Sequence, residues 1–509
     1  MGISGVSMRI NGLNSGIDTE SVVKALLSTD QNRIDNQSKQ KQKLEWKLDS
    51  YRSIKTELKA FTQKYMSVLS SDNLWSSSAL KLNKVSVDSS AVSISASSSA
   101  KTGAMIIDSI THLAAAATAN GSAGIAKGEG ISNPYVALKD LELNTALEFD
   151  ADGNISFSIN GKDFTFHEDT TLQTMMNTIN KDKDANATLS YSQLTNSFTL
   201  ESDTLGSASS LVVVNYSGNA FGDGTTTAGA LGLDAGTYTN GRDALLSINN
   251  VEVTRSTNNF TIDGITYTLN KASTSPIEFT VAQDIDTAVN KIKTFIGEFN
   301  TLVSKYNGLV TEKTYKDFPP LTEEQRGEMT EDEIKKWEEK AKSGILRSDL
   351  DLTSMLSNFR LAFSTKVEGT GMSLMDIGLS TISYSSDGQI EVNETALRKA
   401  LADDPDTVAN LFTQSSSATG SAKFSESGLM QRLSSVINSY VNDIQSASVE
   451  MTEKRISEIE NKMEELENVL ASNQERYYAR FTAMEEALSK LNSTSNWLSS
   501  LFSSTASES

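Results

Sequence analysis

The stretch Leu44 to Val68, LEWKLDSYRSIKTELKAFTQKYMSV, decides how the chain is read. Leu44, Leu48, Tyr51, Ile54, Leu58, Phe61, Tyr65 and Val68 step by threes and fours. That spacing lays one apolar stripe along a helix for about three heptads. The far end repeats the pattern. Ile456, Ile459, Met463, Leu466 and Leu470 form an a/d seam, and Tyr477, Phe481, Met484, Leu488, Leu491 and Leu498 carry it on. Asn473 and Arg480 fall at d positions, where a polar residue weakens a coiled coil but can fix its register.

Charge relates the two ends. Residues 24–64 hold ten Lys/Arg and five Asp/Glu, whereas residues 443–486 hold eleven Asp/Glu and five Lys/Arg. All five prolines lie between Pro134 and Pro405, so none interrupts either stretch. Two proline-free helical stretches of opposite sign are predicted to lie side by side, with both termini at one pole. The other reading, two solvated faces with unrelated partners, stays open on sequence alone.

Before Leu44, Asp18 or Thr19 is placed to cap a helix. Ser28 to Lys43 is too polar to hold itself folded by burial and is expected to wait for a partner. After the first stripe, residues 79–281 change character, with Ser, Thr, Asn and Gly among short alternating runs. Val85–Val87 and Val92–Ala96 read as strands, and Phe157–Phe166 as a hairpin turning on Asn160-Gly161. Asn249-Asn250 and Asp263-Gly264 read as further turns, Thr170–Ile179 as a short helix, and Gly218–Gly241 as a loop or domain edge. Helix returns near Asp284, and residues 321–342 form an acidic, solvated helical excursion entered through Phe318-Pro319-Pro320.

The predicted fold class is α+β multidomain, with terminal helices forming a coiled-coil or helical-bundle stalk and inserted β-rich domains. The expected parts are terminal helical legs (1–43 and 450–509), a helical bundle built from both ends (44–78 and 282–449), an inserted β domain (79–133 and 241–281) and a second β-rich domain (134–240).

Composition narrows function. The 509 residues carry a net charge of −20, a poor match to phosphate backbones, so no nucleic acid is expected as partner. With no cysteine there is no disulfide, thiolate nucleophile or cysteine zinc site. No apolar run approaches the roughly 20 residues of a membrane span, and Met1–Ile17 is not a Sec-type signal. The acidic C-terminal stripe argues against insertion at anionic lipid. Only two histidines occur. His167-Glu168-Asp169 is read as a sheet edge beside surface acids rather than a ligand cluster. Asp150-Ala-Asp152-Gly153-Asn154 has its glycine too early for a calcium loop and is read as a tight turn. Gly121–Gly130 lacks the G-K-[ST] of a phosphate loop. No catalytic residue, cofactor or metal is assigned, and the chain is expected not to be an enzyme.

Four stretches resemble the flagellar filament-capping family, also called the flagellar hook-associated protein 2 family. The first is Gly12-Leu13-Asn14-Ser15-Gly16-Ile17-Asp18 with Val22-Val23 and Leu26-Leu27. The second is Gly241-Arg242-Asp243-Ala244 with Ile248–Asn258 and Asp263–Leu269. The third is Ile377-Gly378-Leu379 with Asp387–Ile390 and Val408–Phe412, and the fourth is Arg480–Glu485 with Leu491–Thr494. Their order spans nearly the whole chain, while residues 134–240 carry none of it.

The resemblance implies export through the flagellar type III apparatus, secretion to the filament tip, and a ring-like homo-oligomer whose legs insert into the filament end. It implies flagellin and an export chaperone as partners, with host mucus glycans contacted by some members. The residues it proposes for oligomer or filament contact are Leu13, Ile17, Leu26, Leu27, Tyr477, Phe481, Met484, Leu488, Leu491, Trp497 and Leu498. The alternatives are a hook–filament junction or flagellin-like subunit, and a secreted glycan-binding adhesin or hydrolase.

Overall fold

The computed structural model describes residues 16–224, 228–382 and 387–505. The chain divides into two compact units, residues 1–80 with 286–509, and residues 81–285. The helices are α1 (Thr19–Tyr65), α2 (Leu172–Lys181), α3 (Ile285–Thr311), α4 (Glu323–Gly327), α5 (Glu331–Lys342), α6 (Leu350–Ser364), α7 (Glu394–Asp403), α8 (Pro405–Thr413), α9 (Gly420–Glu426), α10 (Leu429–Asn438) and α11 (Gln445–Thr505).

In the helical unit, the stripe from Leu48 to Tyr65 is buried as its spacing predicts, but α1 stops at Tyr65 and Val68 is exposed. The stripe meets α3 and α6 in an aromatic core. The Phe61 ring lies 5.6 Å from Phe295, and Phe299 lies 5.4 Å from Phe359 and 4.9 Å from Phe363. Such ring pairs add about 0.5–1.5 kcal/mol each beyond area burial. A buried polar tie fixes α1 to α6. The Tyr51 hydroxyl donates to Asp349 Oδ2 at 2.6 Å, Lys47 Nζ lies 3.3 Å from the same oxygen, and Asp349 Oδ1 caps α6 through the Leu352 amide. Burial, reinforced by that carboxylate, pushes the Tyr51 hydroxyl far above its ordinary pKa.

Arg432 on α10 is 1% exposed and pairs with no carboxylate among the described residues. Its guanidinium instead donates to five carbonyls: Phe424, Ala362, Thr365, Lys366 and Ser425. These lie at the C-terminal ends of α6 and α9, where carbonyls lack helical partners and a cation is favoured. Burial alone lowers its pKa to about 10. A π-helical turn, Ser439–Ile444, then joins α10 to α11.

The second unit is antiparallel β. One core lies between a five-stranded sheet and a three-stranded sheet. The larger has the order Asn83–Val87, Ile277–Gln283, Gly103–His112, Ala244–Ile248, Val251–Arg255, and the smaller Asn259–Ile262, Ile265–Leu269, Val92–Ala96. The other core, Ala117 to Leu233, gathers α2, the sheet Gly236–Tyr238, Leu211–Ser217, Asn154–Ile159, Lys162–His167, and the sheet Ala116–Asn120, Ser197–Leu205, Ala187–Ser192. The three turns read from sequence have both central residues at positive φ: Asn160 and Gly161, Asn249 and Asn250, Asp263 and Gly264. That is the type I′ geometry that matches strand twist.

Gly218–Gly241 departs from the loop expectation. Ala220, Phe221, Ala230, Leu231 and Leu233 are buried, and Gly236–Tyr238 pairs with Leu211–Val213. Apolar residues spaced irregularly among Gly and Thr fill the core without any helical or strand period.

Candidate functional site

No G-x-S-x-G elbow or three-member metal-ligand group occurs among the described residues, and no helix there is long and apolar enough to cross a membrane. His167 is exposed beside Asp169, whose carboxylate Lys139 holds at 2.5 Å. Asp150 Oδ1 accepts from the Asn154 and Asp152 amides at 2.9 and 3.1 Å, forming the tight turn before strand Asn154–Ile159. Those amides hold the Asp150 carboxyl below its usual range.

The feature that stands out is the hairpin of α1 on α11. Arg52 pairs with Glu453 at 3.1 Å, Lys41 with Glu460 at 2.8 Å, and Asn473 Nδ2 donates to Asp30 Oδ2 at 2.8 Å. Residue numbers fall on α1 as they rise on α11, so the helices are antiparallel, as their opposite charge predicts. Asn473 at its d position meets Asp30, a directional contact that a slipped register would lose. The two ion pairs are largely exposed and select alignment more than they stabilise it.

The register places the start of α1 beside residues near Met484. Asp18 caps α1, accepting from the Ser21 amide at 3.2 Å, and its bonds to Ser21 lower its pKa. Val23, Leu27 and Ile34 are buried; Tyr477, Phe481, Met484 and Leu488 are half-buried on α11. The other predicted contact residues face solvent: Ile17 (41% exposed), Leu26, Leu491, Trp497 (61%) and Leu498. Leu13 lies outside the described residues. The hairpin thus brings Leu27 to the α11 seam but leaves Leu26 on the outer surface of α1 and Ile17 exposed just ahead of its N-cap. Glu485, 2% exposed, was not legible as a buried residue, because in sequence it is one more acid on an acidic helix.

Beyond about residue 487, α11 has no described part of α1 beside it. That leaves roughly 27 Å of helix, at 1.5 Å per residue, bearing Leu491, Trp497 and Leu498.

Residues 15–117 match the N-terminal, and residues 241–493 the C-terminal, family model described as flagellar hook-associated protein 2. This chain belongs to the flagellar hook-associated protein 2 family. The flagellar hook-associated protein 2 of Halalkalibacterium halodurans is 28% identical over 531 residues, covering 95% of this chain and 98% of the relative. That of Thermotoga maritima is 24% identical over 359 residues, 67% of this chain and 54% of the relative. Among solved structures, the D1-D2-D3 domains of the flagellar cap protein FliD from Escherichia coli share the fold, with a TM-score of 0.54 at 19% identity over 79% of this chain and 99% of that one.

Hook-associated protein 2 motifs gain physical reasons here. Gly241, in the Gly-Arg-Asp-Ala motif, crosses so close to Gly206 that a Cβ would sit 2.5 Å from its carbonyl oxygen. Asp243 accepts from the Ser207 amide and hydroxyl at 2.7 and 2.8 Å, and Arg242 exchanges two backbone bonds with Ala115. The motif is the return crossing between the two β cores. Gly378 sits at φ 89° against the Asn393 carbonyl, and Asn393 caps α7. Residues 118–240, between the two family matches, hold almost all of the second β core.

Proposed function

We propose that this protein caps the distal end of the bacterial flagellar filament, retaining exported flagellin and promoting its folding and insertion during growth. The observation that carries this is the antiparallel terminal hairpin, in a member of the hook-associated protein 2 family, with apolar side chains left exposed at its outer end. An apolar stripe that no described residue of the chain covers fits packing on a second protein.

In this reading the chain is secreted to the filament tip by type III export and assembles as a ring-like homo-oligomer. Its partners are its own copies, flagellin and an export chaperone. Residues 1–43 and 450–509 act as legs; 44–78 with 282–449 form the bundle; 79–133 with 241–281 and residues 134–240 form the two inserted β domains. Tyr477, Phe481, Met484 and Leu488 hold the hairpin seam, and Ile17, Leu26, Leu491, Trp497 and Leu498, with Leu13, meet filament subunits or neighbouring legs. The mechanism is mechanical and calls for no catalytic residue. Legs with little self-burial give up affinity to ordering entropy, which suits a cap that steps as each subunit is added.

Complementation tests this. A cap-deletion strain supplied with the gene should regain long filaments and stop leaking flagellin into the medium. Continued leakage by a folded, secreted protein would point to the junction or adhesin reading.

A further inference from the structure

At the base of the acidic excursion lies a cavity of about 550 Å³, floored by the hairpin seam residues Leu44 and Ile459 and walled by Tyr315 and Phe318. Lys43, Lys316 and Arg455 line it, and none of the three has a carboxylate partner among the described residues. Lys47 also lines it but pairs with Asp349, so the other three cations are the ones open to an acidic partner.

The same excursion carries the complementary charge. From the end of α4 into the first turn of α5, the segment Glu328–Glu333 presents Glu328, Glu331, Asp332 and Glu333 to solvent, and neither Glu331 nor Asp332 has a cationic partner among the described residues. Glu331 stands ten residues along α5 from Ala341, which lines this chain's own cavity, about 15 Å at 1.5 Å per residue, so the tip lies beyond side-chain contact with it. The excursion leaves α1 near Trp46, where Lys342 lies 5.1 Å from the indole ring, and reaches Lys24, which Glu324 contacts at 2.9 Å. Lys24 and Lys43 are about 28 Å apart along α1, at 1.5 Å per residue. The acidic run of α11, by contrast, already spends Glu453 and Glu460 on α1.

We propose that the cavity receives the Glu328–Glu333 tip of a second copy of this chain. The contact uses two different patches, so it is head-to-tail, and repetition closes a ring when the rotation allows. The inference rests on the self-assembling cap reading and names the surface through which copies meet.

Sedimentation velocity on the full chain at low and high salt tests it with four proteins: the parent, K43E/K316E/R455E, E328K/E331K/D332K, and the combined variant. The parent should associate at low salt and less at high salt. Each reversal should raise the dissociation constant at least about tenfold, and the combination should restore it to within about threefold. The two reversals move net charge in opposite directions, so non-specific repulsion cannot produce a loss in both. All the substituted side chains are exposed, apart from their place at the cavity rim; should a reversal melt early, the neutral pair K43Q/R455Q and E331Q/D332Q replaces it. A parent that stays monomeric at low salt, a reversal without effect, or a folded combination without rescue overturns the proposal. Complementation scored alongside separates the two readings. Normal capping with unaltered association sinks only this surface, and failed capping by the parent sinks the cap reading whatever the sedimentation shows.

Discussion

Two halves of α1 are built on different terms. From Leu48 to Tyr65 the helix buries Leu48, Tyr51, Ile54, Leu58, Phe61 and Tyr65 against the bundle. From Thr19 to Leu44, a longer stretch, it buries only Thr19, Val23, Leu27 and Ile34. No glycine or proline breaks either half, so the difference lies in what the side chains meet rather than in helix propensity. The inner half is held by its own chain. The outer half is held chiefly by α11, through a thin seam, the exposed Lys41–Glu460 pair and the Asn473–Asp30 bond, with one exposed pair from Lys24 to Glu324, which leaves surface for other molecules.

The contrast breaks most sharply under M484D/L488D. Both side chains are half-buried on the outer seam, far along α11 from the bundle. Capping, read as flagellin retained on filaments, should be abolished, while the unfolding free energies of the bundle and the β unit stay within about 0.5 kcal/mol of the parent. Motility equal to the parent would mean that the outer half is not the working surface.

F299A tests the inner half. Phe299 is 2% exposed and touches rings from α1, α3 and α6. Its loss should cost about 3–5 kcal/mol in chemical denaturation. A cost under about 1 kcal/mol would show a bundle able to collapse around the gap, and the two halves would then differ less than their burial suggests.

Much of this contrast was legible in the sequence, because it rests on local rules. The helical period of the two ends, their lack of proline and their opposite charge pointed to a side-by-side pairing, without excluding unrelated partners for the two faces. Asn160-Gly161 and Asp263-Gly264 gave their turns because few residues tolerate positive φ. What stayed hidden depends on distant partners. Phe221 and Leu231 enter a core from a Gly/Thr-rich tract, Arg432 finds its carbonyls on helices some 70 residues and fewer than ten residues away, and Glu485 is covered where its neighbours are not. Of the contact residues, the sequence marked which are apolar, but only the fold separates Leu27, turned inward, from Leu26 at 48% exposure beside it.

The smallest expected effect lies at the first turn of the outer half. Asp18 is solvent-exposed and caps α1 through Ser21, whose bonds hold its pKa below the ordinary value of 3.8. A carboxyl with a depressed folded pKa adds stability that is complete above its unfolded value and is lost as pH falls through the folded one. Protection of the first α1 amides from hydrogen exchange should therefore hold at neutral pH and fall in strong acid. D18N keeps an N-cap acceptor but no longer titrates, so it should resemble the parent at neutral pH and lose the acid dependence, whereas D18A should fray the turn at every pH. Because the outer half has so few buried side chains, this fraying should spread further than the same lesion would at a turn anchored in the bundle. Confinement to the first turn in D18A would mean that Val23 and Leu27, thinly supported as they are, suffice to pin the helix to α11.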